Sequence, residues 1–141
     1  MKRKTRSTLP VSAENCPCGL PAPYATCCGR YHAGTPAPTA EALMRSRYSA
    51  YTLGLAEYLQ ATWTSETRPA SLDLLTPPQP QWLGLTVLSH TEAGDTATVE
   101  FVARCKINGR AQRMQEKSRF VRRAEGEVVR WYYVDGEFAE S

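Results

Sequence analysis

Helical periodicity followed by strands in a regular meander, with a cysteine cluster ahead of both, predicts an α+β domain carrying a small metal-bound segment at its amino end. Three observations carry that prediction. Met44, Tyr48, Tyr51, Leu55 and Tyr58 recur at spacings of four, three, four and three; from Trp82 onward the apolar period changes to two; and four of the five cysteines fall within thirteen residues. The 141-residue chain has room for one such domain and an appendage. With 42% hydrophobic and 22% charged residues it is neither wholly disordered nor fibrous. No stretch approaches the about 18 apolar residues of a membrane-spanning helix.

Residues 1–14 form a basic segment with Lys2, Arg3, Lys4 and Arg6 but no apolar run behind them. It is read as a disordered tail rather than a signal peptide, which places the protein in the cytoplasm. There thiols stay reduced, so Cys16, Cys18, Cys27 and Cys28 point to a metal rather than to disulfides. Zinc takes four thiolates at roughly 2.3 Å, and a segment without large apolar residues can fold on those bonds. Pro17, Gly19, Pro21 and Pro23 supply the turns. His32 is the alternative fourth ligand, while Cys105, alone in a strand pattern, reads as a small buried hydrophobe.

The spacing C-x-C-x8-C-C over Cys16 to Cys28 resembles the SEC-C motif, the small zinc module at the carboxyl end of the SecA translocation ATPase. The resemblance implies one structural zinc per chain on Cys16, Cys18, Cys27 and Cys28. That motif usually has a small polar residue after its glycine and lysines in its middle, where this chain has Leu20-Pro-Ala-Pro. The module is assigned 15–32 and the Gly- and Pro-containing 33–38 a linker. The module has few apolar residues to share, so it is expected to unfold independently of the rest.

Thr39 is the N-cap of a helix over 39–53, with Glu41 in its first turn and Gly54 at its end. A shorter helix follows over 55–62. Residues 64–81 form a loop with a helical turn around 72–75. Asn108-Gly109 then fixes a two-residue hairpin that pairs Ala103 with Met114, Phe101 with Glu116, Val99 with Ser118 and Ala97 with Phe120 on the core face. A hairpin at Glu125-Gly126 sets Trp131 opposite Phe120, Tyr133 opposite Ser118 and Asp135 opposite Glu116. A three-residue loop at Glu92-Ala-Gly94 turns Leu83, Leu85 and Val87 inward.

The run from Glu41 to Tyr51, the pairs Tyr58-Leu59 and Thr62-Trp63, Val99-Glu-Phe-Val-Ala103, Glu116-Lys-Ser-Arg-Phe120 and Arg130-Trp-Tyr-Tyr-Val-Asp-Gly136 resemble the YchJ family of uncharacterised bacterial proteins. The resemblance extends over nearly the whole chain after residue 14. It implies a SEC-C module followed, over 39–141, by a nuclear transport factor 2-like, cystatin-like cone: helices wrapped by a curved four-stranded antiparallel sheet. No activity comes with it.

Charge is uneven: residues 1–38 carry five Lys/Arg against Glu14, 39–95 three against six, and 96–141 nine against seven. Within 104–123 eight basic residues face Glu116 alone. The leading reading is an interaction protein contacting a protein partner through the zinc module or the basic hairpin. A closed four-thiolate site leaves no open position for chemistry. The alternative is a small-molecule binder or enzyme built on Glu116, Ser118, Tyr133 and Asp135, since an inward carboxylate is costly unless paired or protonated. Against a site there, Arg45, Arg47, Tyr48 or Tyr51 of the helix would simply neutralise Glu116. The third reading is nucleic-acid binding through Arg104, Arg113, Lys117, Arg119 and the tail, with Tyr132 the one aromatic on that outer face. His90, placed on the outer face, is given no role.

Overall fold

The computed structural model describes residues 15–75 and 77–138; the basic tail, with Lys2, Arg3, Lys4 and Arg6, lies outside them. Helix α1 (Cys28–His32) belongs to the cysteine segment, followed by α2 (Ala40–Leu53) and α3 (Ala56–Ala61). As the sequence predicts, Thr39 caps α2, its Oγ1 accepting the Ala42 N–H at 3.0 Å, and Gly54 closes it at φ 74°. Among the described residues no helical turn forms at 72–75. Asp73 Oδ1 takes the Leu75 N–H instead, a local bond that competes with helix, and three prolines follow within 77–80.

Strands β1 (Gln81–Ala93), β2 (Thr96–Ile107), β3 (Arg110–Glu125) and β4 (Val128–Phe138) form an antiparallel meander in sequence order. The β2–β3 register follows from Asn108-Gly109, whose φ values of 53° and 77° are those of a type I′ turn. Phe101 faces Glu116 and Val99 faces Ser118, as expected. The outer hairpins differ. Ala93 pairs with Thr96, so the first turn is the two-residue Gly94-Asp95, and register shifts around Leu83 and Leu88 bring Trp82, Leu85 and Val87 against the core. Leu83, expected inside, is 49% exposed.

The last turn is Gly126-Glu127, one residue later than expected, because Glu125 pairs with Val128. Tyr133 therefore faces Phe120, and Trp131 faces Arg122. A second shift beside Phe120 passes over Val134 and sets Asp135 opposite Arg119, Gly136 opposite Ser118 and Phe138 opposite Glu116. The chain at 62–64 covers the free edge of β4: Tyr133 N–H donates to Thr62 O at 2.8 Å and Thr64 N–H to Tyr133 O at 2.9 Å.

Helix α2 is the middle of three layers. Met44 and Tyr48 pack on Val99, Ala103, Phe120 and Trp131 of the sheet. On its other flank Ser46, Ser49 and Ala50 are fully buried: the cysteine segment reaches Ser49 through Cys16 and the Ser46 carbonyl through His32, and Tyr58 of α3 lies 2.7 Å from the Ser46 hydroxyl. That segment is docked rather than free. Its Tyr31 and the linker's Ala37 join the same core cluster, which they could not do in an independent appendage. The linker is also held by Arg130, which donates to Gly34 O at 3.3 Å.

Candidate metal centre and cone cavity

The cysteine segment wraps on itself through short backbone bonds. Cys16 N–H donates to Ala22 O at 2.7 Å, Gly19 turns the chain at φ 96°, and Asn15 bridges Pro23. Gly29 is required by packing, since a Cβ there would lie 2.7 Å from Tyr24 O. The four sulfurs of Cys16, Cys18, Cys27 and Cys28 converge within 4.8 Å of one another, all four residues buried. Sulfurs at about 2.3 Å from a central ion define a tetrahedron with edges of about 3.8 Å, and Cys18 and Cys27 lie 3.7 Å apart. This donor set fits a metal ion.

The thiols are electrostatically interdependent. Hydrogen bonds from Cys18 and Cys28 draw the Cys16 thiol far down, while that same pairing with Cys16 pushes Cys18 up to about 11 and Cys28 higher still. A cation at their centre removes this conflict by stabilising all four thiolates. His32 is not among the ligand atoms. Its Nε2 donates to Ser46 O at 2.8 Å, which leaves Nδ1 to accept from Tyr24 Oη at 2.6 Å and fixes one neutral tautomer. Burial holds its pKa below the ordinary value. Two further contacts tie the centre to α2: Cys16 Sγ lies 3.6 Å from Ser49 Oγ, and Arg45 Nη1 donates to Cys18 O at 3.0 Å.

On the opposite flank of α2 the cone holds a cavity of about 260 Å³, walled by Tyr48, Tyr51, Trp82 and Phe120, with Arg47 and Glu116 facing it. Glu116 Oε2 accepts from Ser118 Oγ at 2.6 Å and Tyr133 Oη at 3.0 Å. Both donors come from the sheet; the helix residues considered for that role, Arg45, Arg47, Tyr48 and Tyr51, make no hydrogen bond to it among the described residues. Burial, reinforced by the carboxylate, holds the Tyr133 hydroxyl well above its usual range.

Arg47 is the residue whose importance the sequence left open. It is 5% exposed, and its Nη1 donates to Leu59 O at 2.7 Å and Thr62 Oγ1 at 2.6 Å. Its guanidinium lies between the rings of Trp63, at 4.9 Å, and Tyr133, at 4.5 Å. The signal was present in its position: it stands one turn before Tyr51, on the stripe facing the sheet.

Asp135 does not join Glu116. The shift in β4 puts it on the outer face, 48% exposed and 2.6 Å from Arg119 Nε, which holds its carboxyl below the usual range. His90 is likewise displaced by the shift at Leu88: it pairs with Val99 and lies 3.1 Å from Glu41 Oε1. Tyr132 is buried, and burial together with Glu125 pushes its hydroxyl up to about 12, so it offers no exposed aromatic surface. Arg119 is bound to Asp135 and Glu137. Arg104, Lys106, Arg110, Arg113 and Lys117 are exposed and have no ion-pair partner among the described residues, with Arg104 directly opposite Arg113.

The profile of the family described as YchJ, middle NTF2-like domain, matches residues 39–136. A UPF0225 protein of Cupriavidus metallidurans is 57% identical over 129 residues, covering 89% of each chain. One of Bordetella pertussis is 51% identical over 132 residues, 91% of this chain and 96% of its own. Two solved structures are similar. A SEC-C motif containing protein from Rhodopseudomonas palustris has a TM-score of 0.74 at 37% identity, covering 89% of this chain and 99% of that one. Another from Psychrobacter arcticus has a TM-score of 0.76 at 32% identity, covering 93% and 86%.

Proposed function

We propose, from the premise that the chain belongs to the YchJ (UPF0225) family of NTF2-like proteins, that it is a cytoplasmic interaction protein: a zinc-stapled cone presenting a cationic hairpin to an acidic protein partner. One zinc per chain is held by Cys16, Cys18, Cys27 and Cys28, the donors of module 15–32, which joins the domain 39–141 through 33–38. All four positions of the tetrahedron are filled by sulfur, so the ion serves structure and no catalytic residue is assigned.

The observation that carries the reading is the Arg104–Arg113 pair. Like charges directly opposite on one sheet face repel, and here no described carboxylate lies within ion-pair distance of either. An acidic surface docked on β2 and β3 would relieve that repulsion and pair the nearby Lys106 and Arg110. A protein partner fits better than nucleic acid, because Arg119 is occupied and Tyr132 is buried, leaving no stacking platform beside the cations among the described residues.

The test is affinity capture from native lysate with the full chain and with its R104E/R113E variant. A partner retained by the former and lost from the latter, insensitive to nuclease, supports the reading. Retention that disappears with nuclease transfers the surface to nucleic acid, and identical retention by both forms removes the hairpin from function.

A further inference from the structure

The cone cavity has two unused polar edges, and they are of opposite charge. Arg47 spends Nη1 on Leu59 and Thr62, while its Nε and Nη2 have no hydrogen-bond partner among the described residues. Glu116 spends Oε2 on Ser118 and Tyr133, and its Oε1 likewise has none. Among the described residues, Trp63 Nε1 is the one buried side-chain nitrogen or oxygen left without a partner, so these three atoms open onto the cavity they line. The Nε–Nη2 edge of a guanidinium is the fork that receives a carboxylate with two parallel bonds. A buried guanidinium with no described carboxylate within ion-pair distance, its nearest opposite charge being Glu116 on the far side of Tyr133, is an arrangement that an anionic ligand would complete.

Tyr133 measures the distance between the two edges. Its ring lies 4.5 Å under the Arg47 guanidinium and its hydroxyl 3.0 Å from Glu116, so the two charges stand across one tyrosine side chain. Between them the walls are apolar: Tyr48, Trp82 and Phe120. A volume of about 260 Å³ falls below the roughly 300–1,000 Å³ of pockets for drug-sized ligands and above the roughly 150 Å³ that holds one benzene ring. The occupant is therefore about one ring with its polar ends.

We infer that the cone binds a small amino or hydroxy carboxylic acid with an aromatic or branched apolar body, its carboxylate on the Nε–Nη2 edge of Arg47 and its ammonium or hydroxyl on Glu116 Oε1. This site is separate from the hairpin surface and stands or falls without it.

The experiment titrates the zinc-loaded full chain with L-phenylalanine, 3-phenyllactate, 3-phenylpropionate and 2-phenylethylamine, followed by calorimetry and by the fluorescence of Trp82 in the cavity wall. The two probes carrying both groups should bind at least about tenfold more tightly than the two carrying one. E116Q should erase that advantage and leave 3-phenylpropionate unchanged, whereas R47M should weaken every carboxylate probe. If R47M does not fold, the probe series and E116Q decide alone. Equal affinity for one- and two-group probes, no binding by any probe up to about 10 mM, or an E116Q chain that keeps the advantage overturns the inference.

Discussion

The Glu116 carboxylate lies directly over Gly136, in the space that a Cβ on that residue would occupy. The missing side chain is what lets an acidic group of β3 fold across its neighbour and reach Ser118 and Tyr133. Gly136→Ala should expel the carboxylate and break both bonds, lowering stability by about 1–3 kcal/mol in denaturant unfolding. Glu116→Gln should cost about 1 kcal/mol or less, because its partners are neutral hydroxyls and no ion pair is broken. A loss above that would show that Glu116 serves as the counter-ion of Arg47 across the cavity.

Replacing Cys16, Cys18, Cys27 or Cys28 singly with Ser should reduce the zinc measured by elemental analysis from one equivalent per chain. Chelation should also deprotect amides on the α2 flank around Ser46 and Ser49, since the docked segment contacts both. Loss of protection confined to 15–32 would show that the contacts with Ser49 and Ser46 hold nothing in place.

His32 is neutral in the fold, and burial holds its pKa below 6.5. The unfolded chain thus binds a proton that the folded chain does not, so stability falls as pH drops from about 6.5 toward the folded pKa and is unaffected by this group above that window. The ring resonances should titrate below 6.5. A midpoint at or above 6.5 would mean that Nε2 does not donate to Ser46 from a buried neutral ring.

Thr39→Ala should cost about 1 kcal/mol by removing the bond to the Ala42 N–H. Asp135→Asn, by contrast, should scarcely alter stability and should leave ligand binding in the cone untouched, because the side chain belongs to an exposed pair with Arg119. Weakened binding in that variant would place Asp135 back beside Glu116.

The fate of these two acidic residues shows what was legible in the sequence. Glu116 was placed correctly because Asn108-Gly109 admits one frame: both residues take positive φ, a demand few other dipeptides meet. In 124–128, Ala-Glu-Gly-Glu-Val, a single glycine allows the turn to begin at Glu125 or at Gly126, and the structure uses the latter. The skip at Val134 lies directly beside the docking of 62–64 on Tyr133, a contact distant in sequence. The helix stripe was readable from its period, but the small polar face at Ser46 and Ser49 gave no hint that it too was covered. Their burial comes from two elements distant in sequence, the cysteine segment over Ser49 and the Ser46 carbonyl, and Tyr58 of α3 on the Ser46 hydroxyl.

If the cysteine cluster holds its proposed zinc, that double covering of α2 would make metal supply a determinant of how long the chain survives. An ion that binds the docked form and not the undocked one stabilises it by about 1.4 kcal/mol for every tenfold rise in free metal above its dissociation constant. Scarce zinc would then shrink the docked population and expose the flank at Ser49 and the Ser46 carbonyl, presenting a helix edge to proteases. Cellular abundance of this protein should then follow zinc availability through turnover, with no change in its synthesis.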